Sequence, residues 1–333
     1  MEFSFGKSDI AAFEKLLGAY DEAMGRDAAL NNSTGVSLSE AELRKLGAKK
    51  LDPRVYEKDP YYQALSGLAK RKAKGATLGK TTIKARSPFL ANEERSKEGD
   101  AASIVQPYGY FDRDFAYPSI SEDGRIWMSL CPHEIETMRE AAQKLTGRIL
   151  VLGLGLGYVP YLLSLKTDVS EIVVVDSDSG IIQLFKEELL PRFSYSEKVK
   201  IVKEDAFEYL DKKHPRFDGV FADLWHDQED GIPLYYLLRK RLDAFNVPVF
   251  YWIEKTIILY VRMGLLILAD EEFRADDKED ERYMEAETQS DAIVNALHFV
   301  LKGRKVDSYK AFEEIISDDS IRKTIPELDI DIE

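Results

Sequence analysis

A single cysteine, Cys131, stands in 333 residues, so no internal disulfide can form. That fits a reducing, cytoplasmic setting. No apolar run approaches the roughly 20 residues that a membrane span needs. The best candidate, 256–269, is interrupted by Arg262 and reads as a buried helix. The opening Met-Glu-Phe-Ser-Phe-Gly-Lys lacks the basic-then-apolar pattern of a secretion signal. No fixed-period repeat is visible, which excludes a solenoid. Positive charge is scarce as well, with 46 Lys and Arg against 60 Asp and Glu and a net charge of −14. Such a balance disfavours nucleic acid as a partner, because phosphate neutralisation supplies most non-specific affinity. A cationic substrate is compatible with it, and a solubilising surface explains it equally well. The one basic stretch without an acid, 70–86, reads as a solvated helix end and loop.

What is present centres on Arg148 to Tyr158, Arg-Ile-Leu-Val-Leu-Gly-Leu-Gly-Leu-Gly-Tyr. The apolar run Ile149 to Leu152 suits a strand buried on both faces. Gly153, Gly155 and Gly157 follow at alternate positions, and a helical pattern begins at Tyr158. A strand that turns through glycines into a helix lets a ligand approach the backbone closely and meet the free N–H groups of the helix start. The dinucleotide fingerprint is Gly-x-Gly-x-x-Gly. Its third glycine is replaced here by Tyr158, so NAD is not the expected ligand.

Downstream, strands and helices alternate. Strands are expected at 171–176, 198–203, 217–223 and 247–252, with helices at 159–165, 179–190, from 206, and at 232–242. This pattern predicts an α/β fold, a doubly wound parallel sheet with the ligand outside the carboxyl ends of its first and fourth strands. Upstream, residues 1–103 read as a mainly helical region. Residues 104–253 hold a β-hairpin ending in Ile126-Trp-Met-Ser-Leu, a helix from Pro132, and the sheet. Residues 254–333 read as a helical region containing a strongly acidic stretch at 269–283. No sixth and seventh strands are legible.

Three acids end strands. Asp176, 23 residues after Gly153, can accept hydrogen bonds from ribose hydroxyls, with Asp178 as the fallback if the strand runs longer. Asp205, followed by Ala206, either faces a ligand or caps the next helix. Asp223 opens the loop Asp-Leu-Trp-His-Asp-Gln-Glu-Asp-Gly, where it can act as a general base or hold an amine. In that loop Trp225 can stack on a substrate, and His226 is a second candidate for substrate contact. The acids around His226 have no spacing diagnostic of a metal site, and none is assigned.

Gly153-Leu-Gly-Leu-Gly157, Asp176, Asp205-Ala206 and Asp223, in this order and spacing, resemble the class I S-adenosylmethionine (SAM) dependent methyltransferases. The layout is most similar to their spermidine-synthase-like branch, which also places a β-hairpin and a helix before the glycine turn. The resemblance covers about residues 104–253. It implies a Rossmann-like SAM-binding domain in which Asp205 and Ala206 meet the adenine, unless Asp205 is only a cap. It departs from that branch at Leu154 and Leu156, at Asp223-Leu-Trp-His, and in the missing last hairpin. The Asn/Asp-Pro-Pro-aromatic motif of DNA amino-methyltransferases is absent. The implied activity is methyl transfer to a small molecule or protein. Aminopropyl transfer, or a non-catalytic role on the same fold, are the alternatives, and a homo-oligomer stays open.

Overall fold

The computed structural model describes residues 1–122, 124–274 and 286–332. A long helix, α1 (Lys7–Ser33), opens the chain. A short helix, α2 (Pro60–Ala64), begins where the Asp59 carboxylate accepts the amides of Tyr61 and Tyr62 and Pro60 needs no donor of its own. The helical expectation fails from Arg71. There β1 (Arg71–Ala73) and β2 (Ala76–Ile83) form a hairpin through Lys74, at φ 47°, and Gly75. The basic stretch is therefore sheet rather than helix end and loop. Lys72, Lys80 and Thr82 are exposed, Ala76 and Leu78 are buried, and Thr81 bonds the buried Ser119 hydroxyl at 2.8 Å.

The expected second hairpin is present, as β3 (Phe115–Glu122) and β4 (Arg125–Ser129). β3 also pairs with β2 over seven residues, giving an antiparallel sheet in the order β4-β3-β2-β1. This sheet crosses the sequence boundary drawn at residue 103. In β4 the register shifts between Ile126 and Met128, so Trp127 is the extra residue of a bulge. Bulges redirect side chains and are frequent beside active sites.

After α3 (Pro132–Lys144), the core sheet comprises β5 (Gly147–Leu152), β6 (Val169–Asp176), β7 (Val199–Lys203), β8 (Gly219–Ala222) and β9 (Val249–Tyr251). All pairs are parallel, in the order β7-β6-β5-β8-β9. This is the doubly wound, Rossmann-like sheet that the sequence implied. The chain reverses direction across the sheet between β5 and β8, and a ligand crevice opens at such a point. Ile149 to Leu152, Ile172 to Val175 and Val220 to Ala222 are all buried, as a two-sided sheet requires.

The connecting helices are α4 (Tyr158–Ser164), α5 (Ser179–Leu184), α6 (Ala206–Leu210) and α7 (Gln228–Leu242). α5 runs on into a π-helical turn, Phe185–Leu189. Where a sixth strand would continue the sheet, the chain enters α8 (Glu254–Arg274), and α9 (Gln289–Val300) follows it. Among the described residues the core sheet has no sixth or seventh strand. α8 is a buried helix, and Arg262 within it is tied to the Ile316 carbonyl, Tyr20, Ser96 and Asp318. No described helix is long and apolar enough to cross a membrane. The acidic stretch read at 269–283 lies, from residue 275, outside the described residues.

Candidate functional site

The glycine turn is held from three sides. Gly153, Gly155 and Gly157 all have positive φ, at 88°, 53° and 81°, but each meets a different constraint. A Cβ at Gly153 would overlap the backbone carbonyl of Asp223, so this glycine lets β5 and β8 close together at their ends. A Cβ at Gly157 would strike the Phe185 ring, which the π-helical turn brings beneath α4. At Gly155 a Cβ would meet nothing nearer than the Met128 sulfur at 4.0 Å, and the residue lines an open cavity. Behind the turn, Tyr61 donates to the Leu156 carbonyl. Tyr158, the residue that replaces the third dinucleotide glycine, donates to buried Asp59 at 2.9 Å, and Arg139 lies 3.5 Å from the same carboxylate.

The cavity has a volume of about 300 Å³. It gathers Gly153, Gly155, Asp176, Asp205, Ala206, Asp223, Trp225 and His226, which is every residue singled out in the sequence except Gly157. Gly157 instead lines a small cleft behind the turn.

Asp176 is committed to the backbone. One oxygen accepts the Leu154 amide at 2.9 Å and the other the Asp178 amide at 2.7 Å, so its carboxylate fixes the start of the glycine turn. Each oxygen keeps a lone pair for a further donor. Burial raises its pKa. Asp178 caps α5 through Gly180 and Ile181. Asp205 caps α6 through one oxygen only, at 2.9 Å to Phe207 and 3.0 Å to Glu208. Capping thus leaves the second oxygen outside the cap, and Asp205 also lines the cavity.

Asp223 caps nothing. The cap of α7 is Asp227, whose carboxylate accepts the Glu229 amide, and Asp230 closes the capping box. α7 therefore starts at Gln228, four residues before the expected Ile232. With no capping duty, Asp223 faces the cavity. Burial, and then the Asp176 charge, push its pKa from 3.8 up to about 7. The His226 imidazole pairs with Asp230 at 2.8 Å. No group of three or more acid, His or Cys side chains among the described residues is placed to hold a metal. Trp225 is buried against Gly231, 5% exposed, and offers a ligand little ring surface.

Sequence reasoning missed three site residues. Trp127 stands 47% exposed at the mouth, and Trp252 lines the wall, so all three tryptophans of the chain border one cavity. Glu134, in the first turn of α3, is the third. Burial and the nearby Asp223 charge raise its pKa well above the usual carboxylate range. Among the described residues, no Lys or Arg lines the cavity.

Residues 135–236 match the spermine/spermidine synthase domain family. A comparison with curated proteins gives no match. Among solved structures, a spermidine synthase from Thermotoga maritima is 15% identical over 43% of this chain and 58% of its own, with a TM-score of 0.27. A Klebsiella pneumoniae protein named as an O-methyltransferase is 19% identical over 31% of this chain and 46% of its own, with a TM-score of 0.24. A conserved hypothetical protein of Streptococcus pyogenes is 20% identical over 33% of this chain and 66% of its own, with a TM-score of 0.27. The chain thus spans between about half and two thirds of these structures. Over residues 135–236 the chain resembles the spermine/spermidine synthase domain.

Proposed function

We propose that the cavity binds SAM and that the protein is a SAM-dependent methyltransferase acting on a small molecule or a protein. The observation that carries this reading is the open face of Gly155. It is the one glycine of the turn whose missing side chain leaves room for a ligand rather than for a neighbouring protein group. In this reading the Gly155 backbone, open to the cavity, meets the cofactor. The remaining lone pairs of Asp176 accept its ribose hydroxyls, and the second oxygen of Asp205, beside Ala206, meets its adenine. When bound, the sulfonium supplies an electrophilic methyl group. Asp223, at the switch-point end of β8, takes the proton that an acceptor hydroxyl or amine must lose. Trp225 and His226 border the acceptor side.

A second reading has its own support. The family match, and a cavity wall with no Lys or Arg among the described residues, favour decarboxylated SAM, which has no carboxylate to pair, and hence aminopropyl transfer. A third, a binding role without catalysis, is favoured by the lack of a sixth or seventh core strand among the described residues.

Calorimetry with SAM, decarboxylated SAM and NAD separates the readings. Binding of SAM but not NAD is expected. Preference for the decarboxylated form by tenfold or more, about 1.4 kcal/mol, would move the assignment to aminopropyl transfer. NAD binding without SAM binding would overturn both enzymatic readings.

A further inference from the structure

The basic stretch at 70–86 has no part in the site described above. It holds seven Lys and Arg and no acid, in a chain whose net charge is −14. The fold makes it the β1–β2 edge of the four-stranded antiparallel sheet. The registers of that sheet set Lys72, Thr77, Ser121 and Ile126 opposite one another, one from each strand, in a single row. Side chains paired in this way share a face. The neighbouring row, Arg71, Leu78, Ile120 and Met128, belongs to the other face. There Leu78 and Ile120 are buried and Met128 lines the cavity, so the row of Lys72 lies on the outer face. Lys72 and Ile126, at its two ends, are exposed.

The two ends differ in chemistry. At one end Lys70 and Lys74 flank Lys72 at two-residue spacing, and all three are exposed. Glu188 occupies Arg71 at 2.9 Å and Asp114 occupies Lys84 at 3.0 Å. No described acid pairs with Lys70, Lys72 or Lys74. At the other end stand Ile126, 49% exposed, and the bulge residue Trp127, beside His226 at the mouth of the cavity. Four strands at the usual spacing separate the ends by roughly 14 Å, the reach of about four extended residues.

We propose that this outer face docks a protein substrate, through an extended segment that is acidic at one end and apolar at the other. Its acids meet Lys70, Lys72 and Lys74. It then crosses the row and packs an apolar side chain on Ile126 before turning past Trp127 into the cavity. The inference rests on the SAM reading above and narrows the acceptor to an acidic protein segment. Charge complementarity and the exposed apolar end identify the partner together. A nucleic acid fits less well, because it would run on past three lysines over an acid-rich molecule, and 70–86 has no aromatic ring for bases to stack on. A short acidic segment ends where the lysines end.

The probe is a fluorescein-labelled peptide of four glutamates, three serines and a terminal leucine amide, titrated with the full chain and followed by anisotropy. Binding at low salt that weakens as salt is added is expected. Lys70→Gln/Lys72→Gln/Lys74→Asn should lower the affinity by about tenfold. Asn is used at Lys74 because it tolerates the left-handed backbone there. Ile126→Ser should lower the affinity by about threefold or more. Lys15→Gln/Lys45→Gln/Lys323→Gln removes as much charge from exposed sites elsewhere and should change nothing. No binding by the wild-type chain, or an equal loss in this control, overturns the docking surface. A loss in the lysine variant with none in Ile126→Ser overturns the path across the sheet. An oligouridylate of equal charge that binds about tenfold tighter than the peptide overturns the acidic protein as partner in favour of RNA. S-adenosylhomocysteine is titrated separately and should bind all variants equally. Its binding without peptide binding leaves the SAM reading standing and removes the docking surface. Peptide binding as expected, with no binding of SAM or S-adenosylhomocysteine, removes the SAM reading and overturns the surface as a guide to a methyltransferase site.

Discussion

The Trp127 indole and the His226 imidazole meet edge to face, with ring centroids 3.7 Å apart and planes at 81°. One residue lies on a bulged hairpin strand and the other on the loop after the fourth strand of the core sheet. Together they border the mouth of the cavity. Because Trp225 and Trp252 line the same cavity, tryptophan fluorescence, excited selectively over the 17 tyrosines, reports on this site. Addition of S-adenosylhomocysteine is expected to change the emission. Half-exposed Trp127 should carry most of the change, so Trp127→Phe should remove it. A full response in that variant would place the ligand deeper, against Trp252.

Gly155 and Gly153 should respond differently to substitution. Asn tolerates the left-handed backbone that φ 53° requires. Gly155→Asn should therefore fold, lose no more than about 1 kcal/mol, and abolish cofactor binding by filling the approach. Gly153→Ala puts a methyl group on the Asp223 carbonyl and should cost about 3 kcal/mol or more. Thermal melts beside binding isotherms separate the two effects. Normal binding by Gly155→Asn would remove the cofactor reading's main support.

Asp176 holds two amides of its own chain as well as any ribose. A hydrogen bond to a charged group contributes roughly 1.5–3 kcal/mol, so Asp176→Ala should weaken cofactor binding by about tenfold to a hundredfold. Asp176→Asn, which keeps only one acceptor oxygen, should fall between the variant and the wild type. An unchanged dissociation constant would confine this residue to shaping the turn.

Asp223 makes a prediction with a definite sign. Its pKa is raised in the folded protein, from 3.8 to about 7. Between those values the folded state binds more protons than the unfolded one, so this group's contribution falls as pH rises across the window and is flat above it. Asp223→Asn should therefore stabilise the ligand-free protein above about pH 7, by roughly 1–3 kcal/mol. Turnover should drop by about 10²–10⁴ if the carboxylate takes a proton from the acceptor. A melting temperature that responds equally at low and high pH would show that the carboxyl is not strained by burial.

Much of the core sheet was legible, because strands buried on both faces carry unbroken runs such as Ile149 to Leu152 and because acids mark their ends. The order of these residues along the chain sufficed to gather eight of them at one cavity. Glu134 was not legible: on its own helix it is an ordinary first-turn acid, and only its place on the wall of the folded cavity, near Asp223, deprives it of water. Nor was Trp127, since a bulge leaves no mark in a short run of alternating residues. The strands at 71–83 were missed because their charge drew attention away from period. Ala76 and Leu78 alternate with polar neighbours, Thr81, Thr82 and Ile83 favour strands, and Lys74-Gly75 marks the turn.

The bonds from Tyr61 and Tyr158 bear on any attempt to use the nucleotide-binding segment by itself. A fragment of residues 104–253 keeps every strand of the core sheet yet discards Asp59 and Tyr61. The Leu156 carbonyl would then lose Tyr61, and the Tyr158 hydroxyl would lose its Asp59 acceptor while keeping Arg139. For the same reason, engineering this chain toward dinucleotides by Tyr158→Gly would cut a tether before it made any new contact. Redesign of the ligand preference would have to begin in the amino-terminal segment, which itself lines no part of the cavity.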